Sequence, residues 1–183
     1  MNLDSLFDVK GKEIVKKKKE HVFIQGDKNN SLYFIKTGLL KAYYISPKGK
    51  EFIKSFITEG NVVINLSSAY FKKPCTFSLQ CIENTVMLEI PFSLIDAYRK
   101  KNHDLSNQII DLLLEFSLKK EKREFEFLCL SAEDRYKMFF QENADLLKRL
   151  TQNDIAHYLG ITPVGLSRII SRNLLFITDS VGA

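Results

Sequence analysis

LTQNDIAHYLGITPVGLSRIISRN, residues 150–173, places apolar positions, one Ala and one Gly at tightly defined spacings. Thr151 is a natural helix cap with Asp154 three residues on, which predicts a short helix carrying Ile155 and Leu159 on one face. Gly160 ends that helix, and Thr162 with Pro163 opens a second one as cap and first-turn proline. Ile155, Leu159, Ile161, Leu166 and Ile169 are expected to point into the corner between the two helices, where the small Ala156 permits a close crossing. So many positions satisfying one steric template predict a helix-turn-helix rather than a generic helical hairpin.

With the inner face fixed, Thr162, Val164, Gly165, Ser167, Arg168, Ser171 and Arg172 are left outward, toward a DNA major groove. Arg168 is the expected base reader, because a planar guanidinium matches the two acceptors of guanine; its plainer role is a phosphate contact. Thr151, Thr162 and Ser167 are candidate phosphate donors. Between residues 148 and 172, Lys148, Arg149, Arg168 and Arg172 face a single acid, Asp154, a local excess of charge that a phosphate backbone can use.

Upstream, HVFIQ, SLYFIKTGLLKAYYI, EFIKSFI, NVVINL, TFSLQCI and TVMLEI are short runs rich in β-branched and aromatic residues. GDKNN, SPKGK and TEGN separate them, and Gly26, Gly38, Gly49 and Gly60 mark chain reversals. This rhythm predicts an antiparallel roll of the double-stranded β-helix or jelly-roll type. After Pro91 the pattern turns helical, first in PFSLIDAYRKK and then in a long helix over about 102–127. There Leu105, Ile109, Leu112 and Phe116 form a heptad seam, beside a second apolar set of Ile110, Leu113, Leu114 and Leu118. One roll covers only one such face, so a partner helix is implied, and the seam Leu105, Ile109, Leu112, Phe116 is the expected homodimer interface. SAEDRYKMFFQEN opens a further helix with Ser131 as cap. The fold class is therefore α+β, with a roll and dimerising helix over 1–127 and a helix-turn-helix domain over 128–183. Only NLLFITDSVGA follows the second helix, enough for a minimal strand or a short tail and leaving little or no wing.

The chain has 183 residues, 45% hydrophobic and 27% charged, which excludes a disordered or fibrous polypeptide. No apolar run reaches the length of a membrane helix and the first residues lack a signal-peptide core, so the expected location is cytoplasmic, without a membrane partner. Cys75, Cys81 and Cys129 are odd in number and lack metal-binding spacing, which predicts reduced thiols and no metal site. KKKK at 16–19 reads as a solvated loop or strand edge. His21, His103 and His157 fall on different elements and assemble no catalytic group, so the chain is not expected to be an enzyme.

Over nearly its whole length the chain resembles the Crp/Fnr family of bacterial transcription regulators. GDKNNSLYFIKTGLLKAYY resembles the family's glycine-bounded roll hairpin, SAEDRY its entry into the DNA-binding domain, and DIAHYLGITPVGLSRI its recognition unit. Ser167 and Arg168 match the Ser-Arg of the family's Glu-x-x-Ser-Arg motif, while Val164 stands at the Glu position and removes an acceptor for cytosine. The resemblance implies a homodimer on double-stranded DNA, with RNA polymerase as a further partner.

Members that bind cyclic AMP use a Gly-Glu pair for the ribose and an Arg-Ser or Arg-Thr pair for the phosphate. Gly60-Asn61 and Cys75-Thr76 are read at those places and form the candidate ligand pocket; both charged anchors are missing, which speaks against cyclic AMP. The clustered cysteines of the oxygen-sensing members are absent near the N-terminus, so no iron-sulfur cluster is expected. Cys75 beside Lys73 is a candidate redox thiol, its plainer role being an inert packed residue. An unidentified effector in the roll stays open, as does the reading of the chain as a ligand-binding or protein-interaction scaffold that does not act on DNA.

Overall fold

The computed structural model describes the backbone of residues 2–179 and the side chains of residues 2–172. The chain divides into two compact units, residues 1–117 and 118–183, so the division falls inside the long helix rather than after residue 127.

The first unit is the expected antiparallel roll. Eight strands make two four-stranded sheets: β1 (Lys12–Lys16), β8 (Thr85–Pro91), β3 (Ser31–Thr37) and β6 (Val62–Ile64) in that order, and β2 (His21–Phe23), β7 (Ser78–Cys81), β4 (Leu40–Ile45) and β5 (Glu51–Ile57) in the other. Every pairing is antiparallel, as tight glycine-marked reversals allow. Gly38 shows why the residue type matters. It sits at φ 101°, and a Cβ there would lie 2.6 Å from the Asn84 carbonyl oxygen and the Thr85 hydroxyl. The KKKK run ends β1 and turns into β2 in solvent, with Lys19 at φ 73° and the Glu20 carboxylate accepting from the Lys17 amide at 2.6 Å.

A first core of Phe23, Tyr33, Ile35, Leu40, Leu79 and Met87, with Cys75 and Cys81, fills the roll. Tyr33 is 3% exposed, so its hydroxyl needs internal partners. It accepts from Asn29 Nδ2 at 2.7 Å and donates to Glu89 Oε1 at 3.2 Å. Burial, outweighing the Asn29 hydrogen bond and joined by the Glu89 charge, pushes the Tyr33 phenol up to about 12.

A second core lies where the helices of this unit cover the β1-β8-β3-β6 sheet. One of those helices, α1 (Leu3–Lys10), was not evident from sequence: Asn2 and Ser5 form a capping box, and Leu3, Leu6 and Phe7 are buried. The Leu3 amide donates to Gln108 Oε1 at 2.7 Å, tying α1 to the long helix α4 (His103–Cys129). A short α2 (Leu66–Ala69) and α3 (Phe92–Arg99) complete the unit.

The two apolar faces of α4 are buried to different extents. Leu105 is fully buried in the second core, and Ile109, Leu112 and Phe116 pack against the same cluster. The seam assigned to a partner is thus buried at Leu105 and partly covered at Ile109, Leu112 and Phe116 within the first unit, because α1 and α3 add apolar surface that the strand pattern alone did not reveal. Ile110, Leu113, Leu114 and Leu118 stay 53, 41, 56 and 65% exposed.

The second unit holds the last turns of α4, then α5 (Ala132–Glu142), a one-turn α6 (Ala144–Leu147), α7 (Gln152–Leu159) and α8 (Pro163–Asp179). Ser131 caps α5 as expected, accepting from the Asp134 amide at 3.2 Å. Helix α8 continues through residues 173–179 in place of the predicted tail or minimal strand, since no Gly or Pro interrupts NLLFITD. The expectation for residues 180–183 lies outside the described residues.

Two outcomes follow. Leu105→Ala should destabilise the protein by about 2–5 kcal/mol in urea unfolding, the cost of a core cavity, and by the same amount at every protein concentration. Tyr33 binds its proton more tightly when folded, so its contribution to stability is complete below its ordinary pKa of 10 and is lost as pH rises toward about 12. Urea midpoints compared at about pH 9 and about pH 11 should fall more in the wild type than in Tyr33→Phe, which has no phenol to ionise.

Candidate nucleic-acid interface

Helix α7 begins at a complete capping box: the Thr151 hydroxyl accepts from the Asp154 amide at 3.1 Å, and the Asp154 carboxylate takes the Thr151 amide and hydroxyl. Its buried face is Ile155, Ala156 and Leu159. At Gly160 the chain passes through φ 72°, a conformation open to glycine at little cost. A Cβ there would also lie 2.8 Å from Phe127 Cε1. Gly160 therefore satisfies a backbone and a packing requirement together. The Thr162 hydroxyl then accepts from the Gly165 amide at 3.1 Å and caps the start of α8.

Leu166 is 0% and Ile169 5% exposed, so the inner face of α8 is fixed against α7 as the spacings predict. The consequence is geometric. Val164, Ser167, Arg168, Ser171 and Arg172 fall on the opposite stripe and are all exposed, as are Thr151 and Thr162 at the two helix starts. Arg168 is exposed, and among the described residues it has no hydrogen-bond or ion-pair partner. Arg172 is less so, its Nη1 lying 4.0 Å from Glu133 Oε2, a carboxylate shared with Lys137. The Ser171 hydroxyl donates to the Ser167 carbonyl at 3.0 Å, a local bond that a phosphate contact would have to replace. This surface joins an exposed guanidinium, small hydroxyls and two helix N-termini, the groups that bind a phosphate backbone and reach into a groove.

The four residues expected in a ligand pocket are not brought together. Gly60 and Asn61 line an open cleft of about 350 Å³ together with Leu3, Phe34, Gln108 and Leu112, and Asp4, Asp111 and Glu115 line it too. Cys75 packs instead in the apolar core of the roll, 2% exposed. The polar neighbour of Thr76 is Asn65, whose Nδ2 lies 3.5 Å from Thr76 Oγ1 while its Oδ1 accepts from the Ser68 amide at 3.3 Å. Asn65 is 1% exposed and was missed in the sequence, where a lone Asn inside NVVINL carries no signal beyond a turn preference. Burial pushes the Cys75 thiol up despite a hydrogen bond from Ser68, the opposite of the shift a reactive thiolate needs. Among the described residues no group of three or more His, Cys, Asp or Glu side chains is placed to hold a metal ion, and no helix is long and apolar enough to cross a membrane.

Residues 13–102 match the family model of the cyclic nucleotide-binding domain. Along 93% of its length the chain is 30% identical to the anaerobic regulatory protein of Haemophilus influenzae, covering 70% of that protein. It is 27% identical to the fumarate and nitrate reduction regulatory protein of Yersinia pestis, with 93% of this chain and 72% of that one aligned. Among solved structures, FixK2 from Bradyrhizobium japonicum superposes with a TM-score of 0.77 at 18% identity, over 88% of this chain and 83% of that one. The global regulator CLP of Xanthomonas campestris superposes with a TM-score of 0.79 at 13% identity, over 94 and 90%. The roll, the long helix and the helix-turn-helix thus recur in one order across these regulators, and the chain belongs to the Crp/Fnr family of transcription regulators.

Proposed function

We propose that the protein regulates transcription as a homodimer on a roughly palindromic DNA site, with α8 as the recognition helix. The observation that carries this reading is the outward stripe of α8, where Arg168 stands exposed between Val164 and Arg172 while Leu166 and Ile169 lock the opposite face. Arg168 reads a base edge. Thr151, Thr162 and Ser167 hold phosphates, and Val164, Ser171 and Arg172 border the groove. Val164 has no group to accept from cytosine, so the selected site differs there from one chosen by a glutamate. RNA polymerase is a further partner of a regulator of this kind.

The dimer face is the exposed set Ile110, Leu113, Leu114 and Leu118. Those apolar side chains recur at helical spacing on a helix whose other face is already covered, and a second α4 is a surface of matching shape. A twofold dimer presents two recognition helices about 34 Å apart, which sets the half-site spacing at one turn of DNA.

The roll works without cyclic AMP in its interior. Cys75 occupies the place read for the phosphate-binding arginine and belongs to the buried cluster that includes Phe23, Tyr33 and Phe77, where a cyclic phosphate would lack that arginine's charge.

Three measurements test these points. Arg168→Ala should lose about 1–3 kcal/mol of discrimination between the selected duplex and one altered at the contacted base, read by titration at fixed salt, with folding and dimerisation unchanged; unchanged discrimination would favour a scaffold that does not act on DNA. Leu114→Glu should sediment as a monomer at micromolar concentration and bind the palindrome far more weakly. Calorimetric titration with cyclic AMP should give no binding heat at millimolar nucleotide.

A further inference from the structure

The last turns of α4 and the end of α7 meet through an arrangement in the second unit that the DNA-facing stripe does not use. A helix leaves its final carbonyls without internal partners. At the end of α7, Gly160 returns its amide to Ala156, and the Ile161 amide does the same at 3.0 Å. The Tyr158 and Leu159 carbonyls are taken up by arginines from two other helices. Arg123 of α4 donates from Nη2 to the Tyr158 carbonyl oxygen, and Arg135 of α5 donates from Nη2 to the Leu159 carbonyl oxygen at 3.1 Å. Arg135 also donates from Nη1 to the Leu130 carbonyl at 2.8 Å, so it spans the α4–α5 junction as well.

Aromatic rings fix both guanidiniums. Arg123 Cζ lies 3.7 Å from the centre of the Tyr158 ring and 4.5 Å from that of Phe127; Arg135 Cζ lies 4.6 Å from the same Phe127 ring. Phe127 is in turn the side chain that a Cβ at residue 160 would strike. Glu126 Oε2 stands 3.7 Å from Arg123 Nη1 and offsets part of the charge. Two like charges share one ring, burial costs Arg123 desolvation, and each guanidinium reaches a carbonyl at the negative end of α7. Such an expensive arrangement does what an apolar contact cannot, because a guanidinium fork has a defined direction and aligns the helix end it binds.

We infer that Arg123, Phe127 and Arg135 form a brace that positions α7, and through the α7–α8 crossing the recognition helix, so that they set DNA specificity without touching DNA. They are positioning residues, and the inference rests on α8 being the recognition helix. What they control is the angle at which Arg168 is presented. Loss of the brace should therefore weaken base readout and leave the nonspecific attraction of the phosphate backbone intact.

The test uses the full-length protein and a duplex that the wild type selects from a random pool. For the wild type, Arg123→Met, Arg123→Lys and Phe127→Leu, affinity for that duplex and for an unrelated duplex is measured across a salt series, with a thermal melt of each variant. Phe127→Leu removes the shared ring from a position 41% exposed, and so serves should Arg123→Met not fold. In the folded variants, the ratio of specific to nonspecific affinity should fall about tenfold or more, with Arg123→Lys between Arg123→Met and the wild type and the nonspecific salt slope unchanged. A ratio equal to that of the wild type overturns the brace. A shallower salt slope also overturns it, since Arg123 would then be a phosphate contact. A wild type that selects no duplex overturns the DNA-binding reading itself, a different result from either.

Discussion

Helix α4 carries more apolar surface than its own unit covers, and much else in the structure answers to that imbalance. One face is satisfied internally: Leu105 is fully buried, with Ile109, Leu112 and Phe116 against the same core. The other face keeps Ile110, Leu113, Leu114 and Leu118 in solvent. At about 25 cal/mol per Å² of apolar surface, leaving four such side chains wet forgoes several kcal/mol. Further along the same helix, Arg123 and Phe127 belong to the helix-turn-helix unit. A single continuous element thus takes part in the packing of the roll, an uncovered apolar stripe and the support of α7.

The helix-turn-helix was legible because its determinants are local. Capping at Thr151, reversal at Gly160 and entry at Thr162 each follow from the chemistry of one or two residues, and the burial of Leu166 and Ile169 follows from their spacing. The roll was legible for a related reason, since turn chemistry and period-two patterning punctuate the chain regularly. Helix α1 was not. Its eight residues LDSLFDVK offer three core side chains, too few for a strong periodic signal, and its cap begins at Asn2. Without α1 in view, nothing told the two faces of α4 apart, which is why the seam around Leu105 was assigned to a partner.

The surroundings of the candidate pocket residues were hidden in the sequence for another reason. Gly60-Asn61 and Cys75-Thr76 were set beside each other by residue type, yet residue type does not say which strand faces inward. Asn65, behind β6, is the buried polar group that meets Thr76, and Gly60-Asn61 turn toward α1 and α4. The brace at Arg123 and Arg135 was equally invisible, because its partners are backbone carbonyls of a helix 24 to 35 residues away, a relation that no side-chain motif records.

The three cysteines are graded by access: Cys75 and Cys81 lie inside the roll, and Cys129 stands exposed at the end of α4. Their chemistry is therefore separated by the fold itself. A maleimide dye applied to the native protein marks one point, the end of α4 inside the second unit, and reaches the other two only as the roll opens. The molecule carries its own clock for the opening of the roll, with no residue replaced.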